Sequence, residues 1–277
     1  MAALDFGDPA RPVDVVFLHA NGFNAMTYRG ILAQLSRSLR ILAVDQRGHG
    51  SSTLPTDPAR LKSWRVYRED LLALLATLEG PPPVLAGHSM GGTVGVLAAG
   101  KRPGVARGLA LFDPVVMPRA MAFYAQMPWA SGALWKKTPL AMGAAKRRAV
   151  FDSKDAVFDA YKGRGAFKTW PEASLRDYID GGFHDRPEGG VELACAPAWE
   201  AANFAAQGHD PWAALGRIKA PVRIWRAERG STCRIGPSEP FEQRYRNARV
   251  VTVEGTSHFL PMERPDVVLE ALLSSAA

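Results

Sequence analysis

Leu85–Thr93 reads "LAGHSMGGT": an apolar run that begins at Val84 leads into Ser89, and another apolar segment follows. Gly87, Ser89 and Gly91 form G-x-S-x-G at a predicted strand-to-helix junction. A turn this sharp leaves no room for side chains at the flanking positions. It forces the central residue into a strained backbone with its hydroxyl exposed. The following helix would present N-terminal N–H groups, with Met90 N–H placed to bind an oxyanion. The alternative is a glycine-rich turn that merely happens to hold a serine. The rest of the chain decides between the two.

Working outward, apolar runs alternate with helical spacing. "VDVVFLH" (Val13–His19) reads as a buried strand that ends in the loop "ANGFN". Tyr28, Ile31, Leu32, Leu35 and Leu39 follow at helical spacing. "RILAVDQRGHGSS" is a second strand and loop, and Val66, Leu71, Leu74, Leu75 and Leu78 mark a helix. "RGLALFDPV" is the fourth strand after the one that enters the Ser89 turn. This alternation predicts an α/β fold, a mostly parallel sheet with helices on both faces. Right-handed crossovers bring the strand ends, and so these loops, to one edge where ligands bind.

The rhythm stops after Asp113. From 115 to 206 the spacing is mostly helical, with "GFHDRPEGGVEL" readable as a loop or a small hairpin. The α/β pattern then returns and closes on a helix that carries Pro265 in its first turn. The expected organisation is a core of 1–114 and 207–277 with an inserted, mainly helical cap at 115–206. The insert's large apolar residues are Met117, Met121, Phe123, Tyr124, Met127, Trp129, Trp135, Met142, Phe151, Phe158, Phe167 and Trp170. They are expected to form core beneath the cap and, as a set, an apolar pocket wall.

A serine hydroxyl needs a base. Of the six histidines, His258 in "EGTSHFLPMERP" is best placed, between the last strand and the last helix. His19 and His49 read as loop-holding residues, and His88 points away from its neighbour Ser89. Asn21, in the loop after the first strand, is the expected second oxyanion donor through its backbone N–H. Loss of such a donor costs about 3 kcal/mol of transition-state stabilisation. In "DQRGHG", Asp45 and Arg47 read as ties between loops.

Composition sets bounds. The chain has 277 residues and a formal net charge of +7. The segment 115–205 holds twelve Lys/Arg against ten Asp/Glu, and its densest basic cluster is Lys146–Arg148. That pattern reads as a solvated basic face and carries no aromatic-plus-basic nucleic-acid motif. The two cysteines, Cys195 and Cys233, are expected as free thiols. No HExxH or nucleotide-binding glycine loop occurs, so neither metal nor cofactor is expected. The N-terminus lacks a signal-peptide pattern and no apolar run reaches spanning length, so the reading is a soluble, cytoplasmic protein without a membrane span. Oligomeric state is left open.

"LHANGF", "DQRGHGSS", "GHSMGG" and "GTSHFLPMERPD", in that order, resemble the α/β-hydrolase superfamily. The branch is the one with a cap inserted after the sheet's sixth strand. The resemblance covers essentially the whole chain and implies the fold, a hydrolytic activity and the Ser89–His258 pair. Two departures stand out. The leading hairpin is shortened to "ALDFGD". The aspartate expected after "VRIWRAERGSTC" is missing: Arg229 holds the aligned position and Glu228 precedes it. Asp113, at the neighbouring strand end, is the preferred acid for orienting His258, and Glu228 is the alternative. The implied function is hydrolysis of a carboxylic ester, thioester or lactone of a small, largely apolar substrate. Carbon–carbon bond hydrolysis, cofactor-free peroxidation, or ligand binding without turnover are the alternatives.

Overall fold

In the computed structural model the described residues are 1–127, 135–235 and 240–277. Among the described residues ten strands form in chain order: β1 (Ala3–Phe6), β2 (Val15–Leu18), β3 (Ile41–Val44), β4 (Val84–His88), β5 (Gly108–Phe112), β6 (Val150–Phe151), β7 (Phe183–Asp185), β8 (Val191–Leu193), β9 (Val222–Ala227) and β10 (Ala248–Val253). Seven of them make the main sheet in the order β1-β3-β2-β4-β5-β9-β10. Only β1 runs antiparallel, against β3.

Every residue of β2, β3, β4 and β5 is buried. That is why these strands read as continuous apolar runs rather than as alternation: both faces are covered. One face packs on the helices Arg65–Leu75, Met90–Lys101 and Pro211–Leu215, and the other on Pro265–Ala276 and the segment around Tyr28–Leu39. The helix expected across Tyr28–Leu39 is instead a chain of short 3-10 and α turns over Ala25–Leu35. Asn24 caps its start through Thr27 N–H, and turns at Ser36 and Ser38 end it. Leu39 is still buried, outside the helix.

The helix Met90–Lys101 contains four glycines, a poor composition on propensity alone. Close approach explains it. A Cβ on Gly91 would collide with the backbone of Leu18 and His19, and one on Gly100 with the backbone of Ala214. Because the obstacle at Gly91 is backbone, nothing can swing aside. Gly91→Ala is expected to destabilise the fold by about 3 kcal/mol, read as a lowered denaturant midpoint with unchanged slope.

Between β5 and β9 the chain contributes the helices Arg119–Ala125, Pro139–Ala145, Lys154–Tyr161, Glu172–Gly182 and Pro197–Ala205. It also forms a small antiparallel sheet, β6-β8-β7. "GFHDRPEGGVEL" is the β7–β8 hairpin of that sheet. The large apolar residues of this region divide in a way the expectation missed. Phe151, Phe158 and Trp170 are buried, but Met121, Phe123, Tyr124 and Met142 are exposed, Phe123 to 66%. The reason is local. The helix Arg119–Ala125 buries Ala122 and Ala125, one helical turn apart, and so turns its larger side chains outward. Trp129 and the side chain of Trp135 lie outside the described residues. Among the described residues no helix is long and apolar enough to cross a membrane.

Candidate active site

Ser89 sits between β4 and the helix Met90–Lys101 with φ 54° and ψ −120°, a left-handed conformation that side chains other than glycine resist. Its N–H donates to Phe112 O at 3.0 Å, which locks the turn onto the adjacent strand end. His258 follows β10. Its Nε2 lies 3.0 Å from Ser89 Oγ, and its Nδ1 lies 2.6 Å from Asp113 Oδ2. The three side chains come from three strand ends and form one hydrogen-bonded line.

Asp113 is fully buried just past β5, also at positive φ. It reaches across to the end of β9. Its Oδ1 accepts from Ala227 N–H (2.9 Å) and Ser231 O–H (2.5 Å), and its Oδ2 from Thr232 N–H (3.0 Å). Burial alone would raise the carboxyl pKa. The hydrogen bond and charge of His258, with the donors from Ser231 and Ala227, outweigh it and hold the pKa below the ordinary value. Glu228 goes elsewhere: its half-exposed carboxylate accepts from Gly255 N–H at 2.9 Å and pairs with Arg229 at 3.7 Å.

Ser89, His258, Asn21 and Met90 all line one cavity of about 590 Å³. Pro139, Leu140, Gly143 and Ala144 of one insert helix supply much of its roof, with Gly165, Ala166 and Phe204. Phe23, Trp64 and Phe259 come from 1–114 and 207–277, and Val115 from the first residue of the insert. None of the twelve large residues expected in the wall lines it among the described residues. Gly143, Ala144, Gly165 and Ala166 do so instead, with Pro139, Leu140 and Phe204, where the helix Pro139–Ala145 packs on Pro197–Ala205.

Two charged wall residues went unread in the sequence. Arg147 was grouped with a solvated basic face, yet it lines the cavity. It donates to Glu200 Oε2 (2.5 Å), Tyr178 O–H (2.8 Å) and Tyr161 O–H (3.2 Å). Glu200 joins the loop after β2 by accepting from Asn21 Nδ2 at its carbonyl, 3.0 Å away. Fifty-three positions separate the pair, so no local spacing signals it. Arg147's neighbours Lys146 and Arg148 offer the only cue, and they look alike in sequence.

The remaining buried histidines hold loops. His19 Nε2 accepts from Gln46 N–H (2.9 Å), and His49 Nε2 from Gly22 N–H (3.1 Å). His88 links Tyr28 O–H (2.8 Å) to His258 O (2.7 Å). His209 stacks on Trp64. Asp45 accepts from Ala25 and Ser51 N–H, and Arg47 pairs with Asp70, as the loop-tying reading expected. Cys195 and Cys233 are buried free thiols. Among the described residues no cluster of His, Cys, Asp and Glu could hold a metal.

Burial lowers His19 to a pKa of about 4 and His49, His88 and His209 to about 3. Each is therefore neutral when folded and free to protonate when unfolded. The unfolded chain binds the extra protons, so this stability is complete above the unfolded histidine pKa and is lost as pH falls through it toward the folded values. Each group contributes a slope of up to about 1.4 kcal/mol per pH unit between roughly pH 6.5 and 4. Urea midpoints are expected to fall steeply across that window; a flat profile there would show that these rings are not held neutral.

The profile of the alpha/beta hydrolase family matches residues 15–271. The 2-(acetamidomethylene)succinate hydrolase of Mesorhizobium japonicum is 25% identical over 261 residues, covering 93% of this chain and 86% of that protein. A crystal structure of E-2-(acetamidomethylene)succinate hydrolase superposes with a TM-score of 0.77 at 23% identity, over 98% of this chain and 92% of the other. The enol-lactonase of Burkholderia xenovorans superposes with a TM-score of 0.68 at 20% identity, over 99% and 95%. At such identities the superpositions establish the shared architecture, and the matched profile spans nearly the whole chain. The chain belongs to the alpha/beta hydrolase family.

Proposed function

We propose that this protein is a serine hydrolase that cleaves the carboxylic ester, thioester or lactone of a small, largely apolar molecule through an acyl-enzyme. The observation that carries this reading is the line Ser89–His258–Asp113 on the floor of a mostly apolar cavity. Ser89 Oγ attacks the carbonyl carbon while His258 Nε2 takes its proton. The oxyanion receives N–H groups of Met90 and Asn21. His258 then returns the proton to the leaving oxygen or sulfur, and Asp113 holds the imidazolium. Water, deprotonated by His258, attacks the acyl carbon and frees Ser89. Residues 115–206 act as the cap, with the helix Pro139–Ala145 closing the cavity above Ser89.

The relative named 2-(acetamidomethylene)succinate hydrolase is a hydrolase, which supports the hydrolytic part of this reading. The aspartate nucleophile of dehalogenase and epoxide chemistry has no counterpart at this turn, where the residue is Ser89. The test is hydrolysis of p-nitrophenyl esters of graded acyl length. Sustained turnover with an optimum at short to medium chains is expected. Ligand-dependent thermal stabilisation without product release would replace the enzyme with a binding protein.

A further inference from the structure

The protein's positive net charge suggests an anionic substrate, but the cavity has a different balance. Arg147 and Glu200 face each other in its wall at 2.5 Å, with side chains only 20% and 10% exposed. Besides His258, they are the titratable groups that line it among the described residues. The surface charge lies in water, where salt screens it. Inside, Glu200 offsets Arg147, and the buried Asp113 carboxylate stands behind His258. A substrate carboxylate entering here would give up its hydration, meet an arginine already paired, and face two carboxylates.

The pair is also firmly placed. Tyr161 and Tyr178 hydroxyls fix Arg147 from the far side. Glu200 packs on the loop that carries Asn21: a Cβ on Gly22 would lie 2.7 Å from Glu200 Oε1. The carboxylate therefore cannot swing away toward that loop to leave Arg147 bare.

We propose that Glu200 is the specificity-determining residue of this cavity, holding Arg147 as an internal ion pair so that the site takes neutral rather than anionic acyl groups. The assignment rests on the serine-hydrolase reading for its substrate class, but its charge logic can be measured without turnover.

Two matched pairs of probes differ only in whether the acyl chain ends in a methyl or a carboxylate. They are p-nitrophenyl hexanoate against mono-p-nitrophenyl adipate, and hexanamide against adipamate. The unsubstituted protein is expected to hydrolyse the hexanoate with kcat/KM at least about tenfold higher, the difference lying mainly in KM. Glu200→Gln, which keeps the side-chain shape, is expected to move that ratio at least about tenfold toward the adipate. Adding Arg147→Met in the same background is expected to move it back. Calorimetry on Ser89→Ala protein is expected to give the same order, hexanamide binding more tightly than adipamate.

Equal or reversed preference in the unsubstituted protein overturns the assignment and requires no variant to fold. So does a ratio that Glu200→Gln leaves in place, or a Ser89→Ala protein that binds neither amide. If neither ester is turned over while hexanamide is still preferred, the serine-hydrolase reading falls and the role of Glu200 stands.

Discussion

Ser89→Ala is expected to lower kcat on a p-nitrophenyl ester by about 10,000-fold or more, with residual rate only from the oxyanion donors and binding. The magnitude follows from the geometry. Among the described residues Ser89 carries the one hydroxyl bonded to His258 Nε2, at 3.0 Å. KM should change little, because the methyl of alanine leaves the cavity wall intact. A companion variant separates chemistry from fold. Ser89 is held at φ 54°, where a residue with a Cβ costs about 1–3 kcal/mol. Ser89→Gly should therefore be as inactive as Ser89→Ala yet unfold at higher temperature, by about 1 kcal/mol in stability. Strain relieved at the residue whose loss abolishes turnover would mark the turn as built for function. If Ser89→Ala retained most activity, the nucleophile would have to be sought elsewhere.

How much of this was readable beforehand depends on whether the signal was local. Strands β2 to β5 are buried on both faces, so their residues had to be apolar throughout, and each was visible as an uninterrupted run. The Ser89 turn was visible because Gly87 and Gly91 are required by contacts with nearby backbone. The segment after Asn24 was misread as one helix because its apolar spacing is helical, while its hydrogen bonding breaks into short turns. The cavity wall was misjudged because large residues attract attention. This segment buries Ala122, Ala125, Ala141 and Ala144, and Ala144 lines the cavity together with Gly143, Gly165 and Ala166. The Arg147–Glu200 pair depends on how the Pro197–Ala205 helix docks near Arg147, a tertiary fact that no window of sequence contains.

The acid was the least legible element, and it yields the second large effect. Asp113→Asn is expected to lower kcat/KM by about 10,000-fold at neutral pH, while Glu228→Gln stays within about threefold of the parent. Asp113 Oδ2 accepts from His258 Nδ1–H, which leaves Nε2 unprotonated and ready for the serine proton. An asparagine cannot keep both of its jobs. Three protein donors, from Ala227, Ser231 and Thr232, converge on the carboxylate. If the amide oxygen stays with Ala227 and Ser231, the amide nitrogen faces Thr232 N–H and His258 Nδ1. It then donates to Nδ1 and drives the ring to the tautomer with Nε2–H, which cannot act as base. If the amide flips, its nitrogen meets the Ala227 and Ser231 donors, and a buried N–H goes unpaired at a cost of about 1–3 kcal/mol. Activity falls in the first case through the tautomer and in the second through loss of the carboxylate charge that stabilises the imidazolium, and each case leaves an N–H donor without its acceptor, a stability loss visible in urea. Glu228, turned toward Gly255 and Arg229, has no such link to the imidazole. Measured together on one ester, the two variants separate the candidates. A collapse in Glu228→Gln with a mild effect in Asp113→Asn would mean that His258 takes its orientation from the end of β9 rather than from β5.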